Sequence, residues 1–229
     1  MNKLWNEKVK TIKPYVPGEQ PQDKKYIKLN TNESPYPPSP LVEKVINESN
    51  FDDLRLYPDP DVTNLKKEIS EFYNVDIDQI FIGNGSDEIL AFSFMAFFDK
   101  GEKIYYPDIT YSFYSVYSDL FSLNEVKIPL TKGFEININD YKNLDSGMII
   151  ANPNAPTSIA LGKKEIEDII KNNAENIVVI DEAYIDFGGE SVIDLVEKYD
   201  NLLVIQTFSK SRALAGLRLG FAVGNKGLI

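Results

Sequence analysis

The 229-residue chain contains no cysteine and no histidine. The first absence excludes a disulfide framework, thiol catalysis and thiolate metal sites within it. The second removes the commonest general base and the commonest zinc ligand, which excludes triad hydrolases and histidine-based metalloenzymes. Acid–base chemistry must then come from Lys, Asp, Glu, Tyr or a bound cofactor. Long apolar runs are missing too: none reaches the roughly 18 residues that a membrane helix needs. Residues 1–8 have neither an apolar core nor a small-residue cleavage site, so no secretory signal is expected and the cytoplasm is the expected location. Basic residues are in deficit, 24 Lys and Arg against 35 Asp and Glu, a net charge of -11. That balance disfavours generic binding to nucleic acid or to an anionic membrane, and neither is expected as a partner. Anionic small molecules stay open, because a local Arg/Lys cluster can outweigh the global field.

What is present is ordinary for a globular protein: 43% hydrophobic and 26% charged residues. Pro14, Pro17, Pro21, Pro35, Pro37, Pro38 and Pro40 punctuate residues 1–40 and predict an irregular N-terminal arm. Beyond it, Leu65, Ile69 and Phe72 recur at helical spacing, as do Leu90, Phe94, Phe97 and Phe98. Ile166, Ile169 and Ile170 continue the pattern, followed by Val192, Leu195, Val196 and Tyr199. Strand-like runs lie between them at 79–82, 103–106, 148–151, 177–180 and 202–205; the last three are apolar throughout, as in strands covered on both faces. This rhythm predicts an α/β fold with a mainly parallel sheet flanked by helices. Ligands of such sheets sit at the carboxyl ends of the strands.

The residues just after each apolar run are therefore the informative ones. Gly83-Asn84-Gly85-Ser86-Asp87-Glu88 follows the first. It reads as a tight turn with a helix cap, or as a phosphate cradle at a helix N-terminus. A dinucleotide fingerprint is disfavoured, because Glu88 stands where its third glycine belongs, and no P-loop run exists. After the second run, Tyr111 could stack on a flat cofactor, or be one core tyrosine among 13. Asn152-Pro153-Asn154-Ala155-Pro156-Thr157-Ser158 follows the third as a bent polar loop. Asp181-Glu182-Ala183-Tyr184 follows the fourth. A carboxylate there costs several kcal/mol unless paired, so Asp181 either caps the next helix or meets a cation such as a protonated ring nitrogen. After the fifth comes Thr207-Phe208-Ser209-Lys210, with Arg218-Leu219-Gly220 downstream. A lone lysine is more often a solvated one. Beside hydroxyl and guanidinium anion ligands, Lys210 reads as an amine that forms a Schiff base next to a bound phosphate. One βα unit separates it from Asp181, which places both at one crevice.

In this order the segments 152–157, 181–184 and 209–220 resemble the aspartate aminotransferase-like, fold-type-I enzymes that use pyridoxal 5′-phosphate (PLP). Within that group Leu29-Asn30-Thr31-Asn32-Glu33-Ser34-Pro35-Tyr36, Tyr57-Pro58-Asp59-Pro60 and Ala213-Leu214-Ala215-Gly216-Leu217-Arg218 look most like histidinol-phosphate aminotransferases, enzymes of histidine biosynthesis. The resemblance implies PLP bound to Lys210, a ring nitrogen protonated by Asp181, and a phenolic oxygen contacted by Tyr184. It implies Tyr111 stacked on the ring, and Ser86, Asp87, Thr207, Ser209 and Arg218 around the phosphate. Tyr57 would reach the phosphate of a neighbouring subunit, making a homodimer, and Tyr15 and Asn32 would lie on the substrate side. Ala155 stands where the family has the asparagine that contacts the ring oxygen, so Asn154 or Tyr184 takes that contact; Ser158 replaces a common glycine. The expected organisation is an arm and part of a small domain over 1–50 and the PLP-binding large domain over 51–229, with the C-terminal small domain absent. The implied activity transfers an amino group from histidinol phosphate, the donor, to 2-oxoglutarate. Phosphothreonine decarboxylation, aromatic transamination and a PLP-binding fragment without turnover are the alternatives.

Overall fold

The computed structural model describes residues 3–12, 18, 19, 21, 23, 24 and 26–229. Among them the helices are α1 (Glu7–Thr11), α2 (Pro40–Glu48), α3 (Thr63–Tyr73), α4 (Gly85–Phe97), α5 (Phe113–Phe121) and α6 (Lys163–Lys171). The strands are β1 (Ile80–Asn84), β2 (Lys103–Pro107), β3 (Asn124–Ile128), β4 (Met148–Ala151), β5 (Val178–Asp181), β6 (Leu202–Thr207) and β7 (Leu219–Gly224). They form one sheet in the order β1-β7-β6-β5-β4-β2-β3. All neighbouring pairs are parallel except those of β7, which runs antiparallel to both β1 and β6.

The sheet is covered on both faces because its central strands are apolar at every position. Every residue of β4, β5 and β6 is buried. The pleat sends alternate side chains to opposite cores. Met148, Ile150, Val178, Ile180, Leu202 and Val204 pack with Ile69 of α3 and Ile166, Ile169 and Ile170 of α6. Ile149, Val179, Leu203 and Ile205 pack on the other face with Ile89, Leu90 and Phe94 of α4 and Tyr114 and Tyr117 of α5.

Several elements depart from the sequence-based expectation. The helical spacing of Val192, Leu195, Val196 and Tyr199 produces no α-helix; residues Ile193–Leu195 form a 3-10 turn. Successive tight bonds, Leu195 N–H to Val192 O and Lys198 N–H to Leu195 O, accompany the burial of Val192, Leu195 and Val196 without a helix, and Tyr199 is partly buried. Strand β7 escapes notice because Gly220, Ala222 and Gly224 dilute its apolar signal. Strand β3 sits at the sheet edge and alternates polar with apolar, and α5 also has no counterpart in the expected pattern. The N-terminal arm is not wholly irregular, since Asn6 caps α1 by accepting from the Val9 amide at 2.8 Å.

Topology decides where the chemistry gathers. The parallel strands β1, β5 and β6 end on the same edge of the sheet. Because β7 runs the other way, its beginning meets those ends: Leu219 lies beside Asn84, and Gly220 beside Gly83 and Thr207.

Candidate active site

At this edge β1 turns directly into α4. Gly85 makes the turn with a positive φ of 78°, in the left-handed region that favours glycine. Helix α4 starts without a side-chain cap, so the amides of its first turn stay available to an anion. Gly220 of β7 packs against this turn so closely that a Cβ there would meet the Gly85 carbonyl carbon and the Ser86 nitrogen at 2.6 Å. A Cβ on Gly85 would in turn strike the Arg218 guanidinium. The glycines thus bring the Ser86 amide and the Arg218 side chain together. Thr207 and Ser209 complete the group: the Thr207 hydroxyl donates to Ser209 Oγ at 2.9 Å, and the Ser209 amide donates to Thr207 Oγ1 at 3.2 Å.

Asp87 faces the same cluster through its side chain. It accepts from Tyr111 OH at 2.9 Å and lies 3.5 Å from Arg218 Nη2. A carboxylate repels phosphate, so its side chain orients Tyr111 and Arg218 while its backbone belongs to the helix start. The Tyr111 ring stacks on Phe113 at 5.9 Å and meets Tyr114 edge-on at 5.5 Å. Burial, with Asp87 adjacent, pushes the Tyr111 hydroxyl far up, which keeps it a neutral donor.

Asp181 closes β5 and is only 4% exposed. It accepts from Tyr114 OH at 2.7 Å and from the Ala183 amide at 3.1 Å. Burial pushes its carboxyl up to about 6, against the pull of those two hydrogen bonds. A buried carboxylate held by neutral donors has room for a cationic partner. The next strand, β6, leads into Lys210, whose Nζ donates to Thr31 O at 3.0 Å and lies 5.6 Å from the Tyr184 ring centroid. Tyr184 OH accepts from Asn32 Nδ2 at 3.0 Å. The arm around residues 31–32 therefore crosses directly over the lysine.

The structure brings Ser86, Asp87, Tyr111, Asp181, Tyr184, Thr207, Ser209, Lys210, Arg218 and Asn32 to this edge. Asn154 sits in a buried loop where its amide donates to Ile109 O at 2.9 Å and to Thr157 Oγ1 at 3.2 Å, and its Oδ1 accepts from Thr110 Oγ1 at 2.8 Å. Its side chain staples the two loops. Tyr57 is fully exposed and touches none of these residues within the chain. Tyr15 lies outside the described residues. Tyr114 was not anticipated, although its position one helical turn after Tyr111 was a usable signal. Nor was the buried Glu182, which accepts from Ser191 Oγ, the Val192 amide and Gln206 Nε2 at 2.7–2.8 Å. Burial pushes its carboxyl up to about 7 against those bonds. Among the described residues no group of three or more acidic side chains is placed to hold a metal ion, and no helix is long and apolar enough to cross a membrane.

A mostly parallel sheet that ends in a glycine-tight turn beside a buried aspartate and a lysine has the architecture of the large domain of PLP-dependent transferases. Residues 24–229 match the family model of class I and II aminotransferases, and the chain belongs to that family. It is 70% identical to a histidinol-phosphate aminotransferase of Brachyspira hyodysenteriae, over all of this chain and 65% of that protein. Identity to the histidinol-phosphate aminotransferase of Clostridium beijerinckii is 56%, over all of this chain and 64% of that one. The chain thus spans just under two thirds of the length of the curated relatives it matches. Among solved structures it resembles the histidinol-phosphate aminotransferase of Clostridium acetobutylicum, with a TM-score of 0.76 and 27% identity over 86% of this chain and 60% of that one. The fold is also that of the Sinorhizobium meliloti histidinol-phosphate aminotransferase solved in complex with pyridoxal-5′-phosphate, with a TM-score of 0.79 and 22% identity over 86% of this chain and 56% of that one.

Proposed function

We propose that the chain is the cofactor-binding part of a cytoplasmic, PLP-dependent aminotransferase that takes the amino group of histidinol phosphate and passes it to 2-oxoglutarate. The observation that carries the reading is a buried Asp181 at the end of β5 with Lys210 three residues past the end of the neighbouring β6. The residues fit the cofactor. The glycine-tight turn at Gly85 leaves amides and Arg218 for a phosphate, and Asp181 suits a protonated ring nitrogen. When bound, PLP supplies an electron sink for the substrate's α-carbon.

The chain's own residues do the rest. The Ser86 and Asp87 amides, the Thr207 and Ser209 hydroxyls and Arg218 bind the phosphate and fix the ring's position. Tyr111 supports the ring face, and Tyr184, with Asn154 in the neighbouring loop, serves its phenolic oxygen. Asp181 holds the proton on the ring nitrogen. Lys210 would hold the cofactor at its carbonyl carbon through Nζ and, once the substrate's amine had taken its place there, would be free to move the proton at the substrate's α-carbon. Asn32 covers the substrate side together with Tyr15. Residues 1–50 act as the arm and part of a small domain, and 51–229 as the large domain. Tyr57 serves the phosphate site of a second copy. PLP binding without turnover is the second reading, because the phosphate and ring contacts at Gly85, Arg218 and Asp181 would hold the cofactor whether or not amino exchange follows.

The test is the visible spectrum of the purified chain with PLP, before and after borohydride, for wild type and Lys210→Ala, followed by an amino-exchange assay with histidinol phosphate. A reducible adduct located at Lys210 and missing from the variant is expected. No adduct in the wild type would overturn both readings; an adduct without amino exchange would select the second.

A further inference from the structure

The turn that carries Lys210 is held by a side chain with no part in the cofactor site described above. Ala213, three residues on, has a φ of 55°, a left-handed conformation that costs a non-glycine residue about 1 kcal/mol. Two backbone bonds close this turn: the Ala213 amide donates to Lys210 O at 3.1 Å and the Leu214 amide to Phe208 O at 2.9 Å. A strained turn keeps one geometry only when its surroundings over-determine it. Here the surroundings meet at Arg212. Its guanidinium lies 4.6 Å from the Phe208 ring centroid and 5.8 Å from that of Phe221. Its Nη2 donates to Tyr73 OH at 2.9 Å and to Gln206 Oε1 at 3.3 Å, and its Nε lies 3.8 Å from Asp186 Oδ2. These anchors belong to α3, β6 and the segment after β5. Adjacent Ser211 also donates to Asp186.

We propose that Arg212 is a positioning residue for Lys210, a clamp that fixes the lysine's turn against the segment bearing Tyr184. The geometry supports this directly. Asp186 follows Tyr184 by two residues and Arg212 follows Lys210 by two, so the Arg212–Asp186 contact sets the separation of the two loops. A planar guanidinium can serve a hydroxyl, an amide oxygen and a carboxylate at once while lying on an aromatic ring; a lysine ammonium cannot. Gln206 extends the clamp inward by donating to the buried Glu182 at 2.8 Å, next to Asp181. The functional weight of Lys210 rests on the proposed aminotransferase reading, but the clamp itself can be tested without cofactor.

The test measures acetylation of Lys210 by trace acetic anhydride in the unloaded chain as a function of pH, read by peptide mass spectrometry. Lys44, whose side chain is 66% exposed, serves as the internal reference. The charged groups bearing on Lys210 are Asp181 and Glu33, and neither is altered. Arg212→Gln is expected to raise Lys210 labelling relative to Lys44 about threefold or more at every pH measured, the size of a modest coupling between contacting residues. Arg212→Lys should restore little of the wild-type profile. Asp186→Asn and Tyr73→Phe, which each remove one anchor, should shift labelling in the same direction by less, and they decide the matter if Arg212→Gln does not fold. An unchanged Lys210 profile in the folded variants would overturn the clamp, whatever their melting temperatures. A wild-type chain that forms no borohydride-reducible adduct with PLP would overturn the aminotransferase reading instead and leave the labelling result to decide the clamp.

Discussion

Asp181 shows how much a single residue's setting matters. Burial raises its carboxyl from 3.8 to about 6. Between those values the folded chain keeps a proton that the unfolded chain has released. Stability therefore falls as pH rises through that window, and the penalty is fully present above it. Asp181→Asn removes this penalty. Without PLP the variant is expected to resist urea better than wild type at pH 8, with the difference gone near pH 4; an equal difference at both pH values would refute the assignment. With PLP present the order should reverse at pH 8, because an asparagine gives no charge to a protonated ring nitrogen. Gly220 is the second residue whose role is purely local. A Cβ there collides with backbone at Gly85 and Ser86, which cannot yield as a side-chain tip could. Gly220→Ala should cost about 1–3 kcal/mol and weaken PLP binding, measured by urea denaturation and by fluorescence titration. The sequence marked Arg218-Leu219-Gly220 as part of the site. That the glycine is needed for a backbone approach was visible only once β7 was seen to lie against β1.

Among the elements, the apolar central strands were the most legible. The expected strand at 148–151 is β4 to the residue, and those at 177–180 and 202–205 differ from β5 and β6 only at their ends. Such runs can be buried in only one way, between two helical layers, so their pattern carries little ambiguity. Ile150, fully buried in the middle of β4, measures that layer. Ile150→Ala should destabilise the chain by about 2–5 kcal/mol, read from the urea midpoint at constant m-value. A loss below about 1 kcal/mol would mean that the two-layer packing is wrong. The elements that escaped share a physical cause. β3 is an edge strand with a polar alternate face, and β7, held between two neighbours, alternates Leu219, Phe221 and Val223 with Gly220, Ala222 and Gly224. The apolar spacing at 192–199 satisfies a helix and a chain of tight turns equally well. In the folded chain Glu182, just past β5, accepts from the Val192 amide at 2.8 Å and ties the start of these turns to the sheet.

At the scale of the whole molecule, the face around α2 and residues 51–57 stands out. Leu41, Val45, Phe51, Leu54 and Tyr57 are all exposed, and α2 contributes no buried residue. If Tyr57 serves the phosphate of a second copy, PLP affinity must depend on association. Wild-type affinity is expected to rise with chain concentration across the range where sedimentation shows association. Tyr57→Phe should lose about tenfold in affinity at high concentration, the size of a hydrogen bond to a charged group, with its melting temperature unchanged. Identical affinities at every concentration in both proteins would remove Tyr57 from the site.

The sequence by itself determined the covered parallel sheet and the candidates for the reacting side chains. Apolar periodicity reports burial, and a lone lysine or aspartate after a buried strand reports its own chemistry. Tertiary structure decided which of these groups meet. Antiparallel β7 carries Arg218 to the start of α4, the arm lays Thr31 over Lys210, and Arg212 gathers three distant elements around the lysine's turn. Those contacts join residues far apart in the chain, where local propensity and spacing carry no information.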